Sequence, residues 1–241
     1  MIKIITLCGQ EIKYEFQRKN VKNINLRIKP DGSVHVSAGT RVSVEQIERF
    51  LLSKEDFILN AMEKFKRLNE IAPKPLQFEN GEEITVLGEK YALSIEKGSE
   101  SLVYSEDGKL MVFVEDETDT SLIRRAIEEH LADVCRYEVE KQCRKVYPEF
   151  KKYVPDYPTV KFRKMYTKWG ICRPARREIT FSYMLASAPL ECIEYVVCHE
   201  FCHFMYPDHS KHFYAALTAC LPDWKDRKKL LEETETEIYR R

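Results

Sequence analysis

The sequence predicts an α+β protein. Residues 1–115 read as a β-rich N-terminal domain with one helical segment at about 43–69. Residues 116–241 read as a second domain, in which a small antiparallel-edged sheet accompanies a helix bearing His199-Glu-Phe-Cys-His203. Three observations carry this reading. Short stretches of alternating apolar and polar residues, separated by glycine-containing turns, fill the first half. Apolar residues recur at three- and four-residue steps over 43–69, 120–146 and 190–204. The glycines are isolated turn residues, so the chain carries no phosphate loop and no dinucleotide fingerprint.

Ile2–Leu7 and Ile12–Phe16 alternate as strands. Ile24–Lys29 and Ser33–Ser37 flank Pro30-Asp31-Gly32 and read as a hairpin turning at Asp31-Gly32. Ser43 is placed to cap the helical segment, with Gln46 as its capping-box partner and a break near Lys54-Glu-Asp. Pro73-Lys-Pro75 ends that unit and begins a linker. Glu83–Ile95 is a second hairpin turning near Gly88-Glu89, and Ser101–Val114 a third turning at Asp107-Gly108.

The acidic Glu115–Asp119 run is the expected domain boundary. A helix over 120–146 carries Leu122, Ile123, Ala126, Ile127, Leu131, Val134 and Tyr137 as its stripe, with His130 as an interfacial or core residue. Tyr147-Pro148 and the Pro155/Pro158 region break it. Thr159–Met165, Trp169–Cys172 and Glu178–Tyr183 read as strands, the last as a sheet edge to which an extended peptide could add. Pro189 fits the first turn of the helix that follows. A helix then runs from about Ser210, with Phe213, Leu217 and Cys220 inward, and a charged helix from Asp223 closes the chain.

The chemistry concentrates in one stretch, where four of the six histidines fall between 199 and 212. On a helix His199 and His203 share a face and can bind one Zn²⁺, while Glu200 stands where it can take a proton from a water on that metal. A residue six beyond His203 faces away if the helix continues, so the chain must turn, and Pro207-Asp208 allows it. His209 is then the leading third ligand. His212 and the downstream acids Glu232 and Glu233 remain alternatives. The resulting H-E-x-x-H-x5-H pattern has metzincin spacing, but Tyr206 stands where that signature has glycine. Tyr206 and His212 are candidates for transition-state or substrate contact.

The whole chain sets bounds. Its 44% hydrophobic and 32% charged composition is that of a globular protein, and 39 basic residues balance 39 acidic ones. Net charge therefore points to neither nucleic acid nor membrane. The N-terminal apolar run is too short for a signal peptide and no stretch approaches a membrane span, which makes a cytoplasmic location the expectation. Eight cysteines without a C-x2-C pair read as reduced thiols. Seven basic residues between Lys161 and Arg177, interleaved with Phe162, Tyr166 and Trp169, read as a solvated sheet face, with a nucleotide or nucleic-acid contact as the alternative.

Several blocks together resemble the YgjP-like metal-dependent hydrolases, a family related to SprT-like and other zincin metallopeptidases. They are the N-terminal hairpin with Asp31-Gly32, Val86–Leu93, Trp169-Gly-Ile-Cys172, Tyr195–His203, His209–Tyr214 and Leu221–Lys229. Ile171 stands where that family's W-G-S-C motif has serine. The resemblance implies a zincin-like catalytic domain with His199, His203 and His209 on one Zn²⁺ per chain and Glu200 as base. It implies a zinc-dependent hydrolase, foremost a metallopeptidase with a peptide or protein substrate. A metal-dependent nucleoside triphosphate pyrophosphohydrolase and a nucleic-acid-associated module with a structural metal are the alternatives.

Overall fold

In a computed structural model that describes residues 1–29, 31–71 and 76–238, the alternating segments become strands joined by tight turns. Pro30 and the Pro73-Lys-Pro75 linker lie outside the described residues. β1 (Ile2–Leu7), β2 (Gln10–Arg18), β3 (Asn25–Ile28) and β4 (Val34–Ala38) form a sheet of order β1-β2-β4-β3. The two outer pairs are antiparallel, while β2 and β4 run parallel. Gly32 supplies the positive φ of 78° that the β3–β4 turn requires.

α1 (Val44–Leu52) starts at Ser43, whose side chain and that of Gln46 form the reciprocal capping box. α2 (Glu55–Ile71) follows a break at Ser53-Lys54. The sheet buries Leu7, Tyr14, Phe16 and Val36, and the helices bury Ile47, Leu51, Ile58 and Phe65.

β5 (Glu83–Val86), β6 (Glu89–Lys97), β7 (Leu102–Glu106) and β8 (Lys109–Val114) repeat the first topology, with order β5-β6-β8-β7 and the same sense in every pair. The two-residue turns Cys8-Gly9 and Leu87-Gly88 occupy equivalent places, and both residues of each have positive φ. The packing differs from the expected division of the chain. Compact units are Met1–Ala72 and Pro73–Arg241. The second sheet falls in the latter because Leu93, Leu110 and Val112 share a core with the helices that follow.

α3 (Thr120–Phe150) is capped by Asp119, whose side chain accepts from the Ser121 and Leu122 N–H groups. It runs through Pro148 instead of ending at Tyr147. Buried Val146 and Phe150 hold the last turn on both sides of the proline, which removes a single i→i−4 bond. Tyr137, counted in the apolar stripe from sequence, is exposed, and His130 is half-buried.

β9 (Thr159–Arg163), β10 (Gly170–Arg173) and β11 (Glu178–Ser182) form a three-stranded sheet of order β10-β11-β9. β11 is therefore central and buried throughout, not the edge that its sequence suggested. β10 is an edge, antiparallel to β11. Glu178 on β11 is buried and bridges Lys161 of β9 and Arg173 of β10.

α4 (Leu190–Cys202), α5 (Lys211–Cys220) and α6 (Trp224–Ile238) complete the chain. Pro189 is the N-cap of α4, one position earlier than a first-turn proline. The approach to α4 is tied to the second sheet, since Leu87 N–H donates to the Ala186 carbonyl (2.7 Å) and Gly88 N–H to that of Ser187 (3.1 Å).

A candidate metal centre

α4 is apolar almost all round, with Ile193, Val196, Val197 and Phe201 buried, so the histidine-bearing helix lies inside the core. His199 is in its last turn. His203 caps its C-terminus in right-handed helical geometry (φ −66°, ψ −18°), which keeps the two imidazoles on one face with ring centroids 5.1 Å apart. The chain then turns through Met205 and Tyr206, whose N–H groups both donate to the Cys202 carbonyl.

Beyond Pro207, His209 returns to within 5.0 Å of the His199 ring and 4.7 Å of the His203 ring. The candidate ligand atoms of the three histidines lie within 4.8 Å of one another, and Nε2 of His209 is 3.0 Å from Nε2 of His199. Phe213 of α5, fully buried, packs against all three rings at 4.7–4.9 Å.

The electrostatics suit a cation. Burial first, then the neighbouring His203 and His209, push the His199 imidazole down to about 3, so it stays neutral with a free lone pair. Burial also lowers His203. Among the described residues His199 Nδ1 is buried without a hydrogen-bond partner. Two nitrogens on one tetrahedral zinc at about 2.0–2.1 Å stand roughly 3.3 Å apart. The 3.0 Å between the His199 and His209 nitrogens is close to that span. Two largely buried imidazoles and the exposed ring of His209, crowded around one point, fit a divalent transition metal, whose charge would offset the burial of His199 and His203.

Glu200 follows His199 and is only 5% exposed. Burial raises its carboxyl to about 8, opposed by the Cys172 backbone N–H and the Lys168 ammonium. The histidines and Glu200 line a cleft of about 430 Å³, whose other wall is Lys168–Cys172 and Pro174.

The remaining predicted residues fall elsewhere. The Tyr206 ring stacks on His212 (5.9 Å, 26°), and neither lines the cleft. Tyr206 instead touches the centre through its carbonyl oxygen, 3.2 Å from His203 Nδ1. Glu232 and Glu233 pair with Lys228 and Lys229. Cys202 is buried and hydrogen-bonds with Cys220, and all eight cysteines are free. Lys161 and Arg173 pair with Glu178, Arg177 with Asp156 and Lys164 with Glu128.

Sequence reasoning overlooked the Phe213 floor and the part played by β10. The aromatic spacing around 213 was visible, but nothing local links residues 170–172 to residue 200.

Among the described residues no helix is long and apolar enough to cross a membrane. Residues 22–234 match the family described as YgjP-like, metallopeptidase domain. No curated protein matches the chain.

Proposed function

The chain belongs to the YgjP-like metallopeptidase family, and on that premise we propose that it is a zinc-dependent hydrolase that cleaves peptide bonds. The observation that carries the proposal is the convergence of three imidazoles beside one buried carboxylate at the wall of a cleft. His199, His203 and His209 would hold the ion. When bound, zinc supplies Lewis acidity, acidifying a water and polarising a carbonyl. Glu200 takes the proton of the attacking water on a carboxylate oxygen and passes it to the leaving amine. Burial raises the Glu200 carboxyl, and the Cys172 N–H and the Lys168 ammonium oppose that rise, favouring the ionised form that this step needs.

β10 offers the peptide a backbone edge. Ser182 N–H donates to the Trp169 carbonyl (2.8 Å), so by the alternation of an antiparallel ladder Gly170 and Cys172 turn their N–H and C=O groups away from β11. A substrate strand that adds there lies along the cleft wall.

Peptide hydrolysis is favoured over the phosphohydrolase alternative because Lys161, Arg173 and Arg177 spend their charge on Glu178 and Asp156. The test is cleavage of a peptide library, and of nucleoside triphosphates, by the zinc-loaded chain and its Glu200→Gln variant. Peptide cleavage that disappears in the variant while zinc stays supports the proposal. Triphosphate hydrolysis without peptide cleavage sinks it, as does undiminished cleavage by the variant.

A further inference from the structure

A β-carbon added at Gly170 would lie 2.5 Å from Cγ, 2.6 Å from Oε1 and 2.7 Å from Cδ of Glu200. Among the described residues no other glycine approaches a carboxylate in this way. The backbone at Gly170 does not require glycine. It sits in a strand paired with Phe181 and lacks the positive φ of the turn glycines. What this position requires is space, and the three atoms nearest to the added carbon all belong to Glu200. Two residues on, the Cys172 N–H, which faces the free edge of β10, is directed at the same carboxylate.

We infer that Gly170 is a positioning residue for Glu200. The missing side chain lets the carboxylate lie against the β10 edge, where the Cys172 N–H fixes its orientation. One donor of that edge is thus committed to Glu200, and the Gly170 N–H and the Gly170 and Cys172 carbonyls are left for a ligand backbone. Any side chain at 170 displaces the carboxylate, because a residue 5% exposed has little room to yield elsewhere. The catalytic consequence rests on the proposed role of Glu200 as base. The steric coupling does not.

The experiment is a double-mutant cycle in the full zinc-loaded chain: wild type, Gly170→Ala, Glu200→Ala and the double variant. Melting temperature, zinc content and peptide-cleavage kinetics are read for each. Gly170→Ala is expected to lower the melting temperature of wild type but to shift that of Glu200→Ala little, since the methyl then enters vacated space. Zinc content is expected to hold, with kcat falling about 10- to 100-fold at nearly constant KM, the scale of a misplaced catalytic group.

An equal loss of melting temperature in both backgrounds overturns the inference, because the strand itself would then demand glycine. Wild-type kcat in Gly170→Ala also overturns it when Glu200→Gln is inactive. If Gly170→Ala fails to fold, folding of the double variant supports the coupling, and failure of both overturns it. Should Glu200→Gln keep turnover, the proposed function falls, while the melting-temperature cycle still decides the placement.

Discussion

His203 turns Nδ1 to the Tyr206 carbonyl oxygen, 3.2 Å away. A carbonyl only accepts, so Nδ1 carries the proton and Nε2 keeps its lone pair for the histidine cluster. Because the acceptor is backbone, Tyr206→Phe should leave zinc affinity unchanged, as read by competition with a chelator. His212→Ala should behave alike, since its ring stacks on Tyr206 and does not line the cleft.

His209 is exposed and reaches the cluster only through the turn at Pro207. His209→Ala should therefore abolish the expected one zinc per chain, measured by elemental analysis. It should cost the metal-free fold little, within about 0.5 kcal/mol as for other surface substitutions.

The metal-free chain should show a pH signature of the buried pair. Glu200 has its folded pKa raised from 4.5 to about 8, so its contribution is complete below 4.5 and is lost as pH rises to 8. His199 has its folded pKa lowered from 6.5 to about 3, so its contribution is complete above 6.5 and is lost as pH falls toward 3. The two offset each other between 4.5 and 6.5, and Glu200 alone acts from 6.5 to 8. Denaturant unfolding should show metal-free stability falling by about 2 kcal/mol across that upper window. Glu200→Gln should flatten the fall.

Glu178 joins all three strands behind the cleft, and Lys161 and then Arg173 hold its carboxyl below the usual range. A lowered carboxylate stabilises above its unfolded pKa, and that contribution is lost as pH falls through the folded one. Glu178→Gln should lower the melting temperature at neutral pH. The gap to wild type should close in acid, as differential scanning calorimetry at both pH values would reveal.

The histidines were legible because their spacing is local: a helical repeat, a proline and a third imidazole in one stretch of chain. Ser43 and Gln46 were legible for the same reason. β10 was not, since its relation to Glu200 depends on which strand the sheet places outermost, and alternation alone cannot rank strands. Uniform burial of β11, a mark of a central strand, was present in Ile179, Thr180 and Phe181, but Glu178 obscured it. Its charge suggests solvent until its two cationic partners are seen. The path of α3 through Pro148 follows from packing of Phe150, which lies beyond the reach of helix-breaking rules.

Gly9 and Gly88 hold the same place in two sheets of the same topology, yet they live under different constraints. Among the described residues nothing lies within 4 Å of a β-carbon at Gly9, whereas one at Gly88 meets the Pro189 ring at 2.9 Å. The turn at Gly88 meets two requirements, its own positive φ and the proline that caps the histidine-bearing helix. It is fixed by the helix that it braces. Among the described residues, the turn at Gly9 answers only to its own backbone.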